Sequence, residues 1–64
     1  MNWELYEVWS VDADGHEDLI DTTKDLKEAR QIAEDNLTEY YAECIIYKED
    51  ETGELIEVER LILE

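Results

Sequence analysis

Ser10, Asp12 and Asp14 place oxygen donors at alternate positions ahead of Gly15. That spacing can wrap a hard cation, as the first half of a calcium-binding loop does. Counted from Ser10, the twelfth position is Asp21 instead of a glutamate, and the eighth is Glu17 instead of an apolar residue. The segment also falls between stretches that read as strands. An Asp-Gly hairpin turn is therefore expected, and no metal site. His16, the single histidine, follows that turn beside Glu17 and Asp18. A pH switch is conceivable there, but a solvated turn residue is the simpler reading. Cys44 is the single cysteine. As a nucleophile it would need an activating base, so it reads as a small core residue. Among 20 acids, carboxylate pairs suited to proton transfer or glycoside hydrolysis arise by chance. A chain of 64 residues also has little room for a pocket of ~300 Å³. The expectation is a non-enzymatic protein with no catalytic, cofactor or metal residues.

The acids suggest binding instead. Glu49, Asp50, Glu51 and Glu54 crowd one turn. They would form one end of an anionic stripe running over a sheet face that carries Glu4, Tyr6, Glu43, Tyr47, Glu57 and Glu59. Same-face residues on a strand are ~6.8 Å apart, and DNA advances ~3.4 Å per phosphate on each strand. Glu57 and Glu59 could thus imitate phosphates two steps apart, with Tyr6 and Tyr47 adding apolar contact.

Four strands and a helix must position these residues. Trp3 to Val11 is rich in aromatic and branched residues and predicts a strand. Asp14-Gly15 predicts a hairpin turn into a short strand at about Glu17 to Asp21. Thr22-Thr23-Lys24-Asp25 predicts a threonine-capped helix start. Leu26, Ala29, Ala33, Leu37 and Tyr40 continue at helical spacing for about four turns. Lys24–Glu28 and Arg30–Glu34 are i,i+4 pairs for its exposed face. Tyr40 or Tyr41 to Lys48 predicts a third strand, and Leu55 to Leu63 a fourth after the acidic turn. The order is ββαββ, an α+β domain with a four-stranded antiparallel sheet and one helix packed on one face. By alternation, Trp3, Leu5, Trp9 and Val11 would face the helix, with Ala42, Cys44, Ile46, Ile56, Val58 and Ile62. Glu4, Tyr6, Val8, Ser10, Tyr41, Glu43, Ile45, Tyr47, Glu57, Glu59, Leu61 and Leu63 would face outward.

Charge and length bound the function. Sixty-four residues allow one small domain, 1–64, with no visible repeat or linker. One cysteine and one histidine leave neither a disulfide within the chain nor a zinc site. The start Met1-Asn2-Trp3-Glu4 lacks a basic, apolar leader, and no run approaches the ~18 apolar residues of a membrane span. A cytoplasmic protein is expected, so the acceptor Asn36-Leu37-Thr38 reads as chance. The net charge of −15 argues against direct contact with nucleic acid or anionic membrane. At 44% hydrophobic the chain is not a disordered acidic tail. Residues 1–21 hold seven acids and no bases, and residues 39–64 nine acids and two bases, while the helical segment is nearly neutral. The field thus comes from strands and turns.

In size and charge the chain resembles the small phage-encoded inhibitors of host defence nucleases. The resemblance is one of composition and rests on no motif. It implies a nucleic-acid mimic that occupies the basic channel of a DNA- or RNA-binding protein in the host cytoplasm. The alternative is a homodimer through the open sheet face, with acidity serving solubility or adaptation to high salt.

Overall fold

Asp12 and Asp50 open two copies of one turn. Each N–H donates to the carbonyl four residues on, His16 at 3.0 Å and Glu54 at 2.9 Å. Each carbonyl accepts from the glycine three residues on, Gly15 and Gly53, both at φ +86°. Each Oδ1 accepts from the N–H groups two and four residues later. This is a type I turn closed by a left-handed glycine, a hairpin connection that holds its strands antiparallel. Asp-x-x-Gly supplies the side-chain acceptor and the residue tolerant of positive φ.

The computed structural model describes residues 5–64. They form β1 (Tyr6–Val11), β2 (Glu17–Thr23), α1 (Leu26–Asn36), β3 (Glu43–Glu49) and β4 (Leu55–Ile62). The fold is α+β with the expected ββαββ order, and the antiparallel sheet runs β2-β1-β3-β4. No helix among the described residues is long and apolar enough to cross a membrane.

The helix is capped by Asp25, not by a threonine. Its Oδ1 accepts from the Lys27 N–H at 3.0 Å, while Thr23 Oγ1 accepts from the Asp25 N–H at 3.2 Å. The helix ends at Asn36, about three turns on, where Leu37 turns extended at φ −72° and ψ 127°. Tyr40 therefore leaves the expected stripe and is exposed. Lys24 precedes the cap, so Lys24–Glu28 is not a pair within the helix. Arg30 pairs with Glu59 of β4 through a 2.7 Å bond from its Nε.

Helix and sheet meet over Val8, Ala29, Ala33, Cys44 and Ile46, all fully buried. The two alanines let the helix approach the sheet closely, which leaves room for Val8 of β1 and not for an indole. This reverses the expected faces of β1. Tyr6, Val8 and Ser10 lie on the helix side with Cys44 and Ile46, whereas Leu5, Glu7, Trp9 and Val11 lie outside. Bulges alter the flanking strands. Ile20 is an extra residue opposite the Val8/Trp9 step and packs towards the core. Val58 is extra opposite the Ile46/Tyr47 step. An extra residue flips the alternation beyond it. Glu59 and Leu61 accordingly turn to the helix side, and Ile62 turns outward.

Candidate interaction surface

Register sets the uncovered face as three rows across the sheet, since residues directly opposite share a face. One row reads Thr22, Glu7, Tyr47, Glu57. The middle row reads Leu19, Trp9, Ile45, Arg60. The third reads Glu17, Val11, Glu43, Ile62. An apolar and aromatic band thus lies between two rows that each carry two carboxylates.

Each of those carboxylates meets a donor. Trp9 Nε1 donates to Glu7 Oε1 at 3.0 Å. The Tyr47 hydroxyl donates to Glu17 Oε1 at 2.8 Å. Arg60 bridges the other two, donating through Nη2 to Glu57 at 2.7 Å and through Nη1 to Glu43. The Arg60 hydrogen bond holds the Glu57 carboxyl below the ordinary carboxylate value. Partial burial and the bond to Glu17 push the Tyr47 phenol above its usual range. The acids of this face are thereby oriented rather than free.

The apolar band also covers itself. Ile45 is on the face the helix does not touch, yet it is only 2% exposed. Trp9 is its cross-strand partner and Tyr47 stands two residues on, edge-on to Trp9. Among the described residues, the exposed large apolar side chains lie towards the two edges of the sheet, at Leu19 of β2 and at Leu55, Ile56, Val58, Ile62 and Leu63 in or just after β4, with Tyr40 beyond the helix.

The structure brings together Glu43, Tyr47 and Glu57 of the expected stripe, with Glu49 at the end of the same face opposite Leu55. Glu51 and Glu54 are exposed on the neighbouring turn. Asp50 is spent as that turn's acceptor, and its bond from the Thr52 hydroxyl lowers its pKa. Two assignments are corrected. Tyr6 lies on the helix side beneath the Lys48 ammonium, 5.9 Å from its ring centroid. Glu59 also lies on the helix side, so Glu57 and Glu59 do not present two phosphate-like charges on one face. The bulge at Val58 is the reason. Glu4 lies outside the described residues. Glu7, Glu17, Trp9 and Arg60 belong to the surface and were not singled out from the sequence. Alternation from Tyr47 across the ladder would have found Glu7 and Trp9 had β1 been placed in register.

Asp12, Asp14 and His16 carry ligand atoms within 4.8 Å of one another. Both Asp12 oxygens are engaged by the turn: Oδ1 by two backbone N–H groups and Oδ2 3.4 Å from His16 Nδ1. The backbone bond from His16 lowers the Asp12 pKa. Ser10, the first position of the calcium-loop reading, is buried in β1 on the helix side. A shallow depression of ≈ 180 Å³ beside this turn is lined by Val11, Ala13, Glu39, Tyr40 and Glu43 among others. It is smaller than the ~300 Å³ usual for a small-molecule site.

No protein-family model, curated protein or solved structure matches the chain.

Proposed function

We propose that this is a non-enzymatic acidic binding protein that docks the outer sheet face on a basic, nucleic-acid-binding protein in place of nucleic acid. The observation that carries the reading is the row pattern: Glu7 and Glu57 with Tyr47 on one side, Glu17 and Glu43 on the other, and Trp9 and Ile45 between them. An apolar centre with a charged rim is the usual anatomy of a protein-binding patch. Carboxylates already oriented by Trp9, Tyr47 and Arg60 lose little conformational freedom on docking. The charge of −15 supplies long-range attraction for a basic partner. In size and acidity the chain resembles small phage-encoded inhibitors of host nucleases, which supports reading the proposed action as one in a host cytoplasm.

The test is capture on immobilised protein, with elution by a salt gradient and competition by duplex DNA or RNA. The expected result is one dominant nucleic-acid-binding protein, displaced by the competitor and lost with E7Q/E17Q/E43Q. Capture that survives both the competitor and that variant rejects the reading.

A second reading, self-association, is favoured by a different observation, the exposed apolar residues of β4.

A further inference from the structure

We propose that β4 is a self-complementary edge that pairs antiparallel with β4 of a second copy, joining two sheets into one of eight strands. The proposal does not rest on the partner reading above. Among the described residues β4 has a ladder neighbour on the β3 side alone. The helix packs mainly on β1, β3 and β2 and reaches β4 through Arg30 on Glu59, which leaves Leu55, Ile56, Val58 and Ile62 of β4 exposed. Among the described residues, five of the seven exposed large apolar side chains lie in or just after this strand. An uncovered apolar edge of this length is a template for another strand.

The register says which strand fits. The Leu63 N–H donates to Ala42, and the Asp50 N–H to Glu54, so the hydrogen-bonding groups of 54, 56, 61 and 63 point towards β3. Those of Leu55, Glu57, Arg60 and Ile62 therefore point to the open side. In an antiparallel pair of β4 strands, Leu55 can stand opposite Ile62 of the second copy while Glu57 stands opposite Arg60 of the second copy. The same register sets Ile56 opposite Leu61. Every outward-pointing backbone group then meets an outward-pointing one. The faces also agree, because Leu55, Glu57, Arg60 and Ile62 all lie on the outer face and Ile56 and Leu61 on the helix side.

The bulge selects the occupant. The extra residue Val58 would throw an ordinary strand out of step. A second copy carries the same bulge at the same place, so two irregularities face each other and the pairing stays in register on both sides. Two-fold symmetry makes the Glu57–Arg60 contact twice.

Charge permits this approach despite −15 on each chain. At the edge Glu59 is paired with Arg30, and Glu57 and Glu43 share Arg60. Salt screens the repulsion among the remaining acids.

The experiment is sedimentation of the full chain at raised salt, with the variants E57R and R60E. The wild type is expected at twice the mass of one chain. Each variant sets like charges opposite each other and is expected to sediment as a monomer. An equimolar mixture of the two restores opposite charges at both contacts and is expected to recover the dimer. Ile62→Lys changes a side chain that is 62% exposed, so it tests the edge without touching the core and should also give monomers. A wild type that stays monomeric at every concentration and salt overturns the proposal. So does a dimer that persists in Ile62→Lys, or a mixture of folded variants that fails to pair.

Discussion

The ring of Tyr47 stands edge-on to Trp9, with centroids 6.3 Å apart and planes at 89°. Both rings have a polar handle, and both handles end on a carboxylate of the same face, Glu17 for the phenol and Glu7 for the indole. The face opposite the helix is thereby given a small apolar layer of its own over Ile45. A sheet with one helix would otherwise leave that side to water, so this layer contributes to stability as well as to any docking surface.

Trp9→Ala removes the layer and Tyr47→Phe removes one hydrogen bond. Trp9→Ala is expected to lower stability by about 2 kcal/mol, from lost burial and the lost ring pair. Tyr47→Phe keeps the ring and should cost less than about 1 kcal/mol. Urea unfolding followed by far-UV circular dichroism measures both. Equal losses in the two variants would mean that the hydroxyl, and not the ring, organises this face.

On the opposite side the limiting feature is space. Ala33 is fully buried against the sheet, and Cys44 Sγ donates to its carbonyl at 3.5 Å. Ala33→Leu forces the helix away and should cost about 1–3 kcal/mol. Ile46→Ala leaves a cavity under the helix and should cost about 2–5 kcal/mol. A chain this small has only marginal stability, so the second variant is expected to be largely unfolded at room temperature by the same measurement.

The elements were legible in the sequence because their signals are local. Asp-x-x-Gly marks both turns, and branched and aromatic residues mark the strands. Leu26, Ala29 and Ala33 mark the buried helix face. The side each strand presents was legible only where one alternation was clearly more apolar, as in β3, where Cys44 and Ile46 are core. In β1 both alternations carry apolar groups, and the larger residues suggested the wrong side. The small helix residues Ala29 and Ala33 decide it, and they act across the fold. The bulges at Ile20 and Val58 leave no local mark, because they answer the register of a neighbouring strand. Hence the expected pairing of Glu57 with Glu59 on one face failed, while Glu43, Tyr47 and Glu57 came together.

Burial pushes the Cys44 thiol up, and Glu43 adds to the shift. The thiolate is the reactive form, so the folded protein holds little of it at neutral pH. Alkylation of the native protein is expected to be much slower than alkylation in denaturant, and to follow the rate of opening. A native rate equal to the denatured rate would show that Cys44 is accessible.

Acid should unfold the protein by releasing three carboxylates. Asp12 is held below the usual carboxylate range by the backbone bond from His16, Asp50 by the Thr52 hydroxyl, and Glu57 by Arg60. A carboxyl whose folded pKa is depressed contributes stability that is present above its unfolded value. That contribution disappears as pH falls through the folded value. The ordinary values here are 3.8 for the two aspartates and 4.5 for Glu57, so the loss begins near these and continues below them. A second effect has the opposite sign, since protonating other acids relieves repulsion in a chain of charge −15. At low salt the thermal midpoint should first rise as pH is lowered from neutrality, then fall. At high salt repulsion is screened, and the initial rise should vanish while the fall remains. Asp12→Asn with Asp50→Asn keeps the Oδ1 acceptors of both turns but removes their charge. That variant is expected to show a shallower acid fall at high salt. An unchanged acid fall would show that the turn aspartates are not what acid releases.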